Sequence, residues 1–279
     1  MENLLGIMQG RLLPKHNGHF QAHPVGIWEK EFEIANIVGL DCIEFILDFD
    51  QFEINPLLTE KGVQDILEKV NQYQVQVVSV CADFFMTNPI FLEDQKSKDL
   101  NFSTLKMLIN NSKKIGVTDI VIPLVDGSSI KDDFRKQDST IEFLEDAIKI
   151  IDNDKQKLCL ETDLLPHRFL NFVNRLNSEK VKINYDIGNS ASLGYDFREE
   201  FEVYGNLVTN IHIKDRLYNG GSVHLGRGNA KLVDFFKFLK KCNYKGIFIM
   251  QAYREDDDGL SSFLPQYDFI KNVICEHFL

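Results

Sequence analysis

The chain has little of what marks several large classes of protein. It is 279 residues long and has five cysteines, at Cys42, Cys81, Cys159, Cys242 and Cys275. Their odd number, wide spacing and apolar neighbours predict reduced packing residues rather than a disulfide framework or a CxxC zinc site. The longest strongly apolar run extends only over 120–125, far short of the roughly 20 residues of a membrane span. We therefore expect no membrane partner.

The chain is also poor in positive charge. Lys and Arg total 31 against 42 Asp and Glu, which gives a formal net charge of −11. Such a protein would repel a phosphate backbone, so we expect no nucleic-acid partner. The first residues, MENLLGIMQGR, have no basic stretch ahead of a long apolar one, and we expect a cytoplasmic protein. With 44% hydrophobic and 26% charged residues the composition is that of a folded protein, which excludes intrinsic disorder.

Short apolar segments of strand length recur along the chain and alternate with segments of helical period, such as Leu232, Phe235, Phe236 and Leu239. The predicted strands are 4–8, 42–46, 76–81, 119–124, 157–162, 181–186, 208–213 and 246–251. No linker divides the chain, and no GxGxxG follows the first strand, where an open dinucleotide-binding sheet would need it. We therefore predict an α/β fold, a single (β/α)8 barrel domain over residues 1–279, with an open doubly wound sheet as the alternative.

A parallel barrel presents its catalytic residues at the carboxyl ends of its strands. The fifth to eighth predicted strands each end in a potential metal ligand: Glu161, Asp186, His212 and Gln251. Two carboxylates, an imidazole and an amide oxygen suit a hard or borderline divalent ion. We predict one such ion, Mn²⁺, Mg²⁺, Co²⁺ or Zn²⁺, at the barrel mouth. The alternative is that these groups are ordinary strand caps and a hydrogen-bonded core histidine.

Positive residues gather in the predicted loops after the strands, although the chain as a whole is acidic. Lys214 lies two residues beyond His212 and faces the same side of its strand, so we predict that it contacts an anion or oxyanion during catalysis. The side chains predicted to bind the substrate are Arg11, Glu44, Asp83, Asn189, Arg216 and Arg227. A substrate phosphate or carboxylate would explain the arginines, and pairing with neighbouring loop carboxylates would explain them equally well.

The motifs at these strand ends resemble those of the sugar-phosphate isomerase/epimerase superfamily, the xylose isomerase-like TIM barrels. The matching segments span the chain: GIMQGRL, IEF, SVCAD, LETD, YDIGN, HIKD, LGRGN and FFKFLKKCNYKGIFIM. The family includes ketose 3-epimerases, hydroxypyruvate isomerase, inosose dehydratase and, more distantly, endonuclease IV. The resemblance implies that Glu161, Asp186 and His212 are metal ligands and that Glu161 doubles as an acid/base.

The chain departs from the family pattern at Gln251, where family epimerases carry a second glutamate that binds metal and acts as the other base. An amide can ligate through its oxygen but cannot take a proton at neutral pH. The resemblance implies a divalent-metal-dependent isomerase or epimerase that acts on a sugar or sugar phosphate through a metal-stabilised enediolate. Loss of the second base weakens epimerisation relative to isomerisation, which can work with one base.

Other activities would fit the same pattern. A dehydratase or lyase acting on a related polyol or keto-sugar could use the same ligands, and Gln251 also allows a non-catalytic sugar-binding barrel. An endonuclease IV-like activity is disfavoured, because Asn189 stands where a second-metal histidine would be expected and because the net charge is −11. We expect a small-molecule partner, and the sequence leaves a homo-oligomer open.

Overall fold

Residues 3–278 are described by a computed structural model, in which eight parallel strands form a closed barrel. Neighbouring strands pair in chain order, and β1 pairs with β8 to close the barrel. The strands are β1 Leu5–Met8, β2 Cys42–Ile46, β3 Gln76–Cys81, β4 Asp119–Leu124, β5 Lys157–Thr162, β6 Val181–Asp186, β7 Val208–Ile213 and β8 Ile247–Met250. The predicted fold class is confirmed, and every predicted strand end lies within one residue of the observed end.

Helices connect successive strands and surround the barrel. They are α1 Lys30–Val38, α2 Glu60–Tyr73, α3 Phe84–Thr87, α4 Gln95–Ile115, α5 Phe134–Ile150, α6 Pro166–Leu176, α7 Ile187–Leu193, α8 Phe197–Tyr204, α9 Leu232–Lys241 and α10 Leu260–His277. Short 3-10 helices lie at His16–Gly18, Phe52–Ile54, Pro56–Leu58, Asp126–Ser128 and Gly205–Leu207. Within residues 3–278, no helix has both the length and the apolar character needed to cross a membrane.

Local signals set the ends of these helices. The hydroxyl of Thr59 accepts a hydrogen bond from the Gly62 amide at the start of α2, and the Asp94 carboxylate does the same for the Ser97 amide at the start of α4. Helices α1 and α4 end at Gly39 and Gly116, whose φ angles of 88° and 98° belong to the left-handed region that glycine tolerates. After each of these two glycines the chain changes direction and enters the next strand of the barrel.

The period of two along each strand divides the core into two parts. In β2, Ile43 and Phe45 pack outward against the helices, whereas Cys42 and Ile46 point into the barrel, where they join a smaller apolar cluster. Gly6 on β1 leaves room for this cluster, since a Cβ there would lie 2.8 Å from the Cys42 carbonyl oxygen. The barrel interior is thus filled below the level at which the polar residues begin.

The five cysteines are free, but only three of them serve as packing residues. Cys42, Cys81 and Cys159 lie in the barrel interior, whereas Cys242 and Cys275 are exposed. The packing prediction is wrong for these last two, because apolar neighbours along a helix can face the core while the residue beside them faces the solvent.

Candidate active site

A cavity of about 400 Å³ opens at the carboxyl ends of the strands. Its wall combines the strand ends of β5 to β8 with the loops that follow β1 to β4. On β5 to β8 the inward-facing positions are polar at this level, while the outward-facing positions remain apolar. The location is the one at which barrel enzymes carry their catalytic groups.

Three of the four predicted metal ligands come together at this end of the barrel, where Glu161 and Asp186 line the cavity and His212 lies outside its lining. Glu161, Asp186 and His212 each offer a ligand atom, and these atoms all lie within 4.8 Å of one another. All three residues are buried, and Asp186 and His212 are direct partners in the β6–β7 register. Within residues 3–278, no second cluster of His, Cys, Asp or Glu has comparable spacing.

The His212 ring is oriented by a carboxylate on the far side of the barrel. Its Nε2 donates to Glu44 Oε1 at 2.7 Å, and Glu44 Oε2 accepts from the Asn210 amide at 2.7 Å. Burial lowers the pKa of His212, but Glu44, with Glu161 and Asp186, outweighs it and raises that pKa to about 9. Because Glu44 holds a proton on Nε2, Nδ1 is the atom that would bind a metal, and it lies 3.2 Å from the Asn184 side-chain nitrogen and 3.6 Å from Glu161 Oε2.

Two asparagine side chains hold the Glu161 carboxylate in place. Asn184 donates to Oε2 at 2.7 Å and Asn189 donates to Oε1 at 2.8 Å. Burial and the charge of Asp186 raise the pKa of Glu161 to about 7. The group therefore combines a fixed orientation with a strongly perturbed proton affinity, a combination that is typical of functional carboxylates.

Asp186 has one satisfied oxygen and one free oxygen. Oδ1 caps α7 by accepting from the Asn189 amide at 2.8 Å. Oδ2 is buried and has no hydrogen-bond partner among the described residues, although Lys214 Nζ lies 3.5 Å away. Lys214 lines the cavity, so its ammonium faces both this oxygen and the space in which a ligand would lie.

Gln251 likewise has one side-chain atom with a hydrogen-bond partner and one without. Its Nε2 donates to Gln21 Oε1 at 2.8 Å, whereas its Oε1 is buried and lacks a partner within residues 3–278. Gln21 is held in turn by Arg11, which donates to Gln21 Oε1, and by Asp83, which accepts from Gln21 Nε2 at 2.6 Å. The amide oxygen of Gln251 is thus left without a bond while its nitrogen is tied to the first loop.

This donor set fits a divalent cation. Buried oxygens are normally hydrogen-bonded, and Asp186 Oδ2 and Gln251 Oε1 are two exceptions that line one cavity. A cation bound by them, with Glu161 and His212, would satisfy both. Oxygen ligands together with one imidazole nitrogen suit a hard or borderline ion, and no cysteine thiol joins the cluster.

Residues 32–271 match a family model described as the xylose isomerase-like TIM barrel. The chain belongs to this family. The predicted family membership is therefore confirmed, together with the barrel fold that it implies.

Several known proteins are similar to this chain over most of its length. A Haemophilus influenzae protein named "Putative L-ribulose-5-phosphate 3-epimerase SgbU" is 23% identical over 83% of this chain and 85% of its own. The D-allulose 3-epimerase of Methylomonas sp., solved with D-allulose, has a TM-score of 0.73 at 14% identity, covering 97% of this chain and 96% of its own. The IOLI protein, solved with a zinc atom, has a TM-score of 0.76 at 15% identity, covering 99% of each chain.

The opposite wall of the cavity carries further carboxylates. Asp83, after β3, accepts from Gln21, and burial raises its pKa. Asp48, after β2, accepts from the backbone amide of His23, and burial together with the charge of Asp83 raises the pKa of Asp48 to about 7. Asp83 therefore lies where a substrate-binding residue was expected, and Asp48 is an acidic neighbour that sequence analysis had not singled out.

Four of the predicted substrate-binding residues lie outside the cavity lining. Arg11 is buried and donates to the Phe20 carbonyl and to Gln21, so it braces the first loop. Glu44 lies behind His212 and has no exposed surface. Arg216 donates to Asn189 Oδ1 and the Gly220 carbonyl, and Arg227 is exposed on the loop after β7. Asn189 does line the cavity, next to Glu161.

Two of the residues that sequence analysis missed could have been found from the side-chain alternation along their strands. Asn184 and Asn210 each stand two positions before a predicted ligand, on the same inward face of β6 and β7. A strict period of two extended downward from Asp186 and His212 would have found both. Gln21 and Asp48 lie in irregular loops, where no such period exists.

Proposed function

We propose that this chain is a divalent-metal-dependent isomerase or epimerase acting on a sugar or sugar phosphate. The observation that carries the proposal is the convergence of Glu161, Asp186 and His212 within 4.8 Å, beside two buried oxygens without partners. Such a site can hold a cation and leave positions open toward the cavity. The names of the relatives, sugar epimerases among them, support the same class of reaction.

Glu161, Asp186, His212 and Gln251 would hold the ion. When bound there, a divalent ion polarises the carbonyl of a sugar and stabilises negative charge on the neighbouring oxygens. Glu44 fixes the His212 tautomer through its 2.7 Å bond to Nε2, so the imidazole needs no reorientation to ligate. The protein therefore supplies a largely prearranged set of donors.

Glu161 is the residue proposed to move the proton. Its carboxylate lines the cavity, and the two bonds from Asn184 and Asn189 fix its plane. Lys214, the nearest ammonium, would contact a substrate oxygen as negative charge develops on it. Gln251 cannot accept a proton, so a single base beside the ligands would move a proton between adjacent carbons on one face. This arrangement favours isomerisation over epimerisation.

Metal binding is tested first. Protein stripped with a chelator and then titrated with Mn²⁺ should take up about one equivalent. Asp186→Ala and His212→Ala should each reduce the uptake, because each removes a proposed ligand. Unchanged uptake in both variants would show that the ion, if any, binds elsewhere.

The proposed base is tested with Glu161→Gln, which keeps the shape of the side chain. Turnover of D-allulose, D-tagatose or L-ribulose 5-phosphate by the Mn²⁺-loaded protein should fall by at least about a hundredfold. Asp163→Asn is the matched control, because Asp163 also follows β5 but bonds to Ser129, outside the cavity lining. Full activity of Glu161→Gln would exclude Glu161 as the base, and no turnover by the parent despite sugar binding would favour a non-catalytic barrel.

A further inference from the structure

The cavity wall carries a marked excess of negative charge. Its acidic members are Asp48, Asp50, Asp83, Asp126, Glu161 and Asp186. Lys214 is the one lysine or arginine in the lining as far as residues 3–278 show, and it already lies 3.5 Å from Asp186 Oδ2. A divalent ion would offset two of these six acidic groups. Burial raises the pKa of Asp48 to about 7 and also raises that of Asp83, so part of the wall is protonated near neutral pH, but the remaining carboxylates still outnumber the single ammonium. The space beyond the ion would still repel a second anion.

Three of the four loop arginines near the cavity are committed to the protein itself, and the fourth, Arg227, is exposed and outside the lining. Arg11 and Arg254 both donate to the Phe20 carbonyl, and Arg254 also donates to the Leu13 carbonyl at 2.7 Å. Arg216 holds Asn189 and the Gly220 carbonyl. These three guanidinium groups shape the loops around the cavity and do not line it.

Backbone donors in one of the loops that barrels often use for phosphate, the loop after β7, are also occupied. Phosphate commonly binds to loop amides after the seventh and eighth strands. Here the Asp215 carboxylate, at the end of β7, accepts from the amides of Gly226, Gly228 and Ala230 at 2.9, 2.9 and 3.0 Å. A built-in carboxylate thus takes the bonds that a phosphate would need from this loop.

We propose that the substrate is an unphosphorylated sugar and that the cavity discriminates against its phosphate ester. This inference rests on the proposed function and narrows its substrate class. Sugar hydroxyls donate hydrogen bonds, and the carboxylates of Asp48, Asp50, Asp83 and Asp126 are acceptors that suit them. A phosphate dianion brings only acceptors and two negative charges to the same wall. The relative named for L-ribulose-5-phosphate would then differ from this chain in substrate charge.

Matched pairs of probes test the inference in the Mn²⁺-loaded protein. The pairs are L-ribulose, D-allulose and D-tagatose, each with its terminal phosphate ester, measured for turnover and for Kd by calorimetry. We expect the free sugar of the best pair to be preferred by at least about tenfold at low ionic strength. Inorganic phosphate at millimolar concentration should not compete.

A variant pair isolates the role of charge. Asp50→Asn combined with Asp126→Asn removes two exposed carboxylates from the wall. This double change should reduce the preference for the free sugar over its phosphate ester severalfold. Asp234→Asn combined with Asp268→Asn, at exposed positions of α9 and α10 outside the lining, removes two charges elsewhere and should leave the preference for the free sugar unchanged. Equal effects of both changes would show that the discrimination comes from the net charge of the protein rather than from this wall.

The outcomes separate this inference from the proposed function. Preferred turnover or tighter binding of a phosphate ester overturns the inference while the isomerase proposal stands. If no probe is turned over, the proposed function fails, and the Kd values still decide whether the cavity selects the uncharged member of a pair. Failure of every free sugar to bind also overturns the inference.

Discussion

Glu44 is expected to strengthen metal binding without touching the metal, and Glu44→Gln tests this. In the structure its Oε1 accepts from His212 Nε2 at 2.7 Å and its Oε2 accepts from Asn210 at 2.7 Å. The amide has the same shape and can still accept from Nε2. Its new N–H group would meet Asn210, whose Oδ1 has no partner among the described residues and can receive it if the amide turns over. The substitution should therefore remove the charge and leave the packing intact.

The size of the effect follows from the bond that changes. A hydrogen bond to a charged group contributes about 1.5–3 kcal/mol and a neutral one about 1 kcal/mol, so the exchange removes about 0.5–2 kcal/mol. That loss corresponds to a roughly twofold to thirtyfold rise in the Kd for the metal, and its upper part overlaps what changes behind ligating histidines cost in other metal sites. A proton competes with the ion for His212 Nδ1, so parent and variant are titrated with Mn²⁺ at the same two pH values. The loss should be larger at the higher pH, where that competition is weaker.

Asp119→Asn is the control for this titration. Asp119 is a buried carboxylate at the opposite end of the barrel, where it accepts from Thr209 and Cys159, and it makes no contact with His212. It should change metal affinity by less than about twofold. An unchanged Kd in Glu44→Gln would refute the role assigned to Glu44, and an equal loss in both variants would trace the effect to buried charge in general.

Three further outcomes are expected. Gly6→Ala should destabilise the fold by about 1–3 kcal/mol in urea unfolding, because its Cβ would meet the β2 backbone, while Gly221→Ala, with open space around it, should not. Burial lowers the pKa of His23 to about 4, so as the pH falls the unfolded chain takes up this proton before the folded chain does. The free energy of unfolding should therefore be highest above about pH 6.5 and should fall toward pH 4 by about 3 kcal/mol more in the parent than in His23→Gln. Parallel curves of unfolding free energy against pH for the two proteins would contradict this. Gln251→Glu should lower the Kd for Mn²⁺ by less than an added negative charge alone would, because the new carboxylate faces Gln21 Oε1. Adding Gln21→Met removes that oxygen and should lower the Kd further. Additive effects of the two changes on the Kd would argue against this coupling.

Much of the fold and the convergence of the candidate ligands could be predicted because both follow from the alternation of side chains along the strands. Alternation along β6 and β7 places Asp186 and His212 inward, and closure of a parallel barrel brings their strand ends together. The same rule predicted that Glu44 points inward but not that it lies outside the cavity lining, since the rule reports the direction of a side chain and not its distance from the mouth. Glu44 reaches His212 across the barrel interior, between strands that are not neighbours.

The loop arginines could not be assigned for a different reason. A guanidinium in a loop binds whichever acceptors the folded loop brings near, and backbone carbonyls leave no signal in sequence. Arg11 and Arg216 are both held by carbonyls of their own or adjacent loops, at Phe20 and Gly220. Positive charge near a strand end was therefore consistent with either a substrate anion or pairing within the loops, and the hydrogen bonds of Arg11 and Arg216 agree with the second.

The orientation of the Gln251 amide follows from residues that sequence analysis treated separately. An amide can turn its oxygen and nitrogen about, but Arg11 can only donate, so it fixes Gln21 Oε1 on its own side. That oxygen must in turn face the nitrogen of Gln251, which leaves the Gln251 oxygen buried beside the cavity without a partner. A glutamate at position 251 would instead set a carboxylate oxygen against Gln21 Oε1. The amide at the end of β8 and the first loop therefore fit each other, and the neutral character of this candidate ligand is specified by its neighbours as well as by its own residue type.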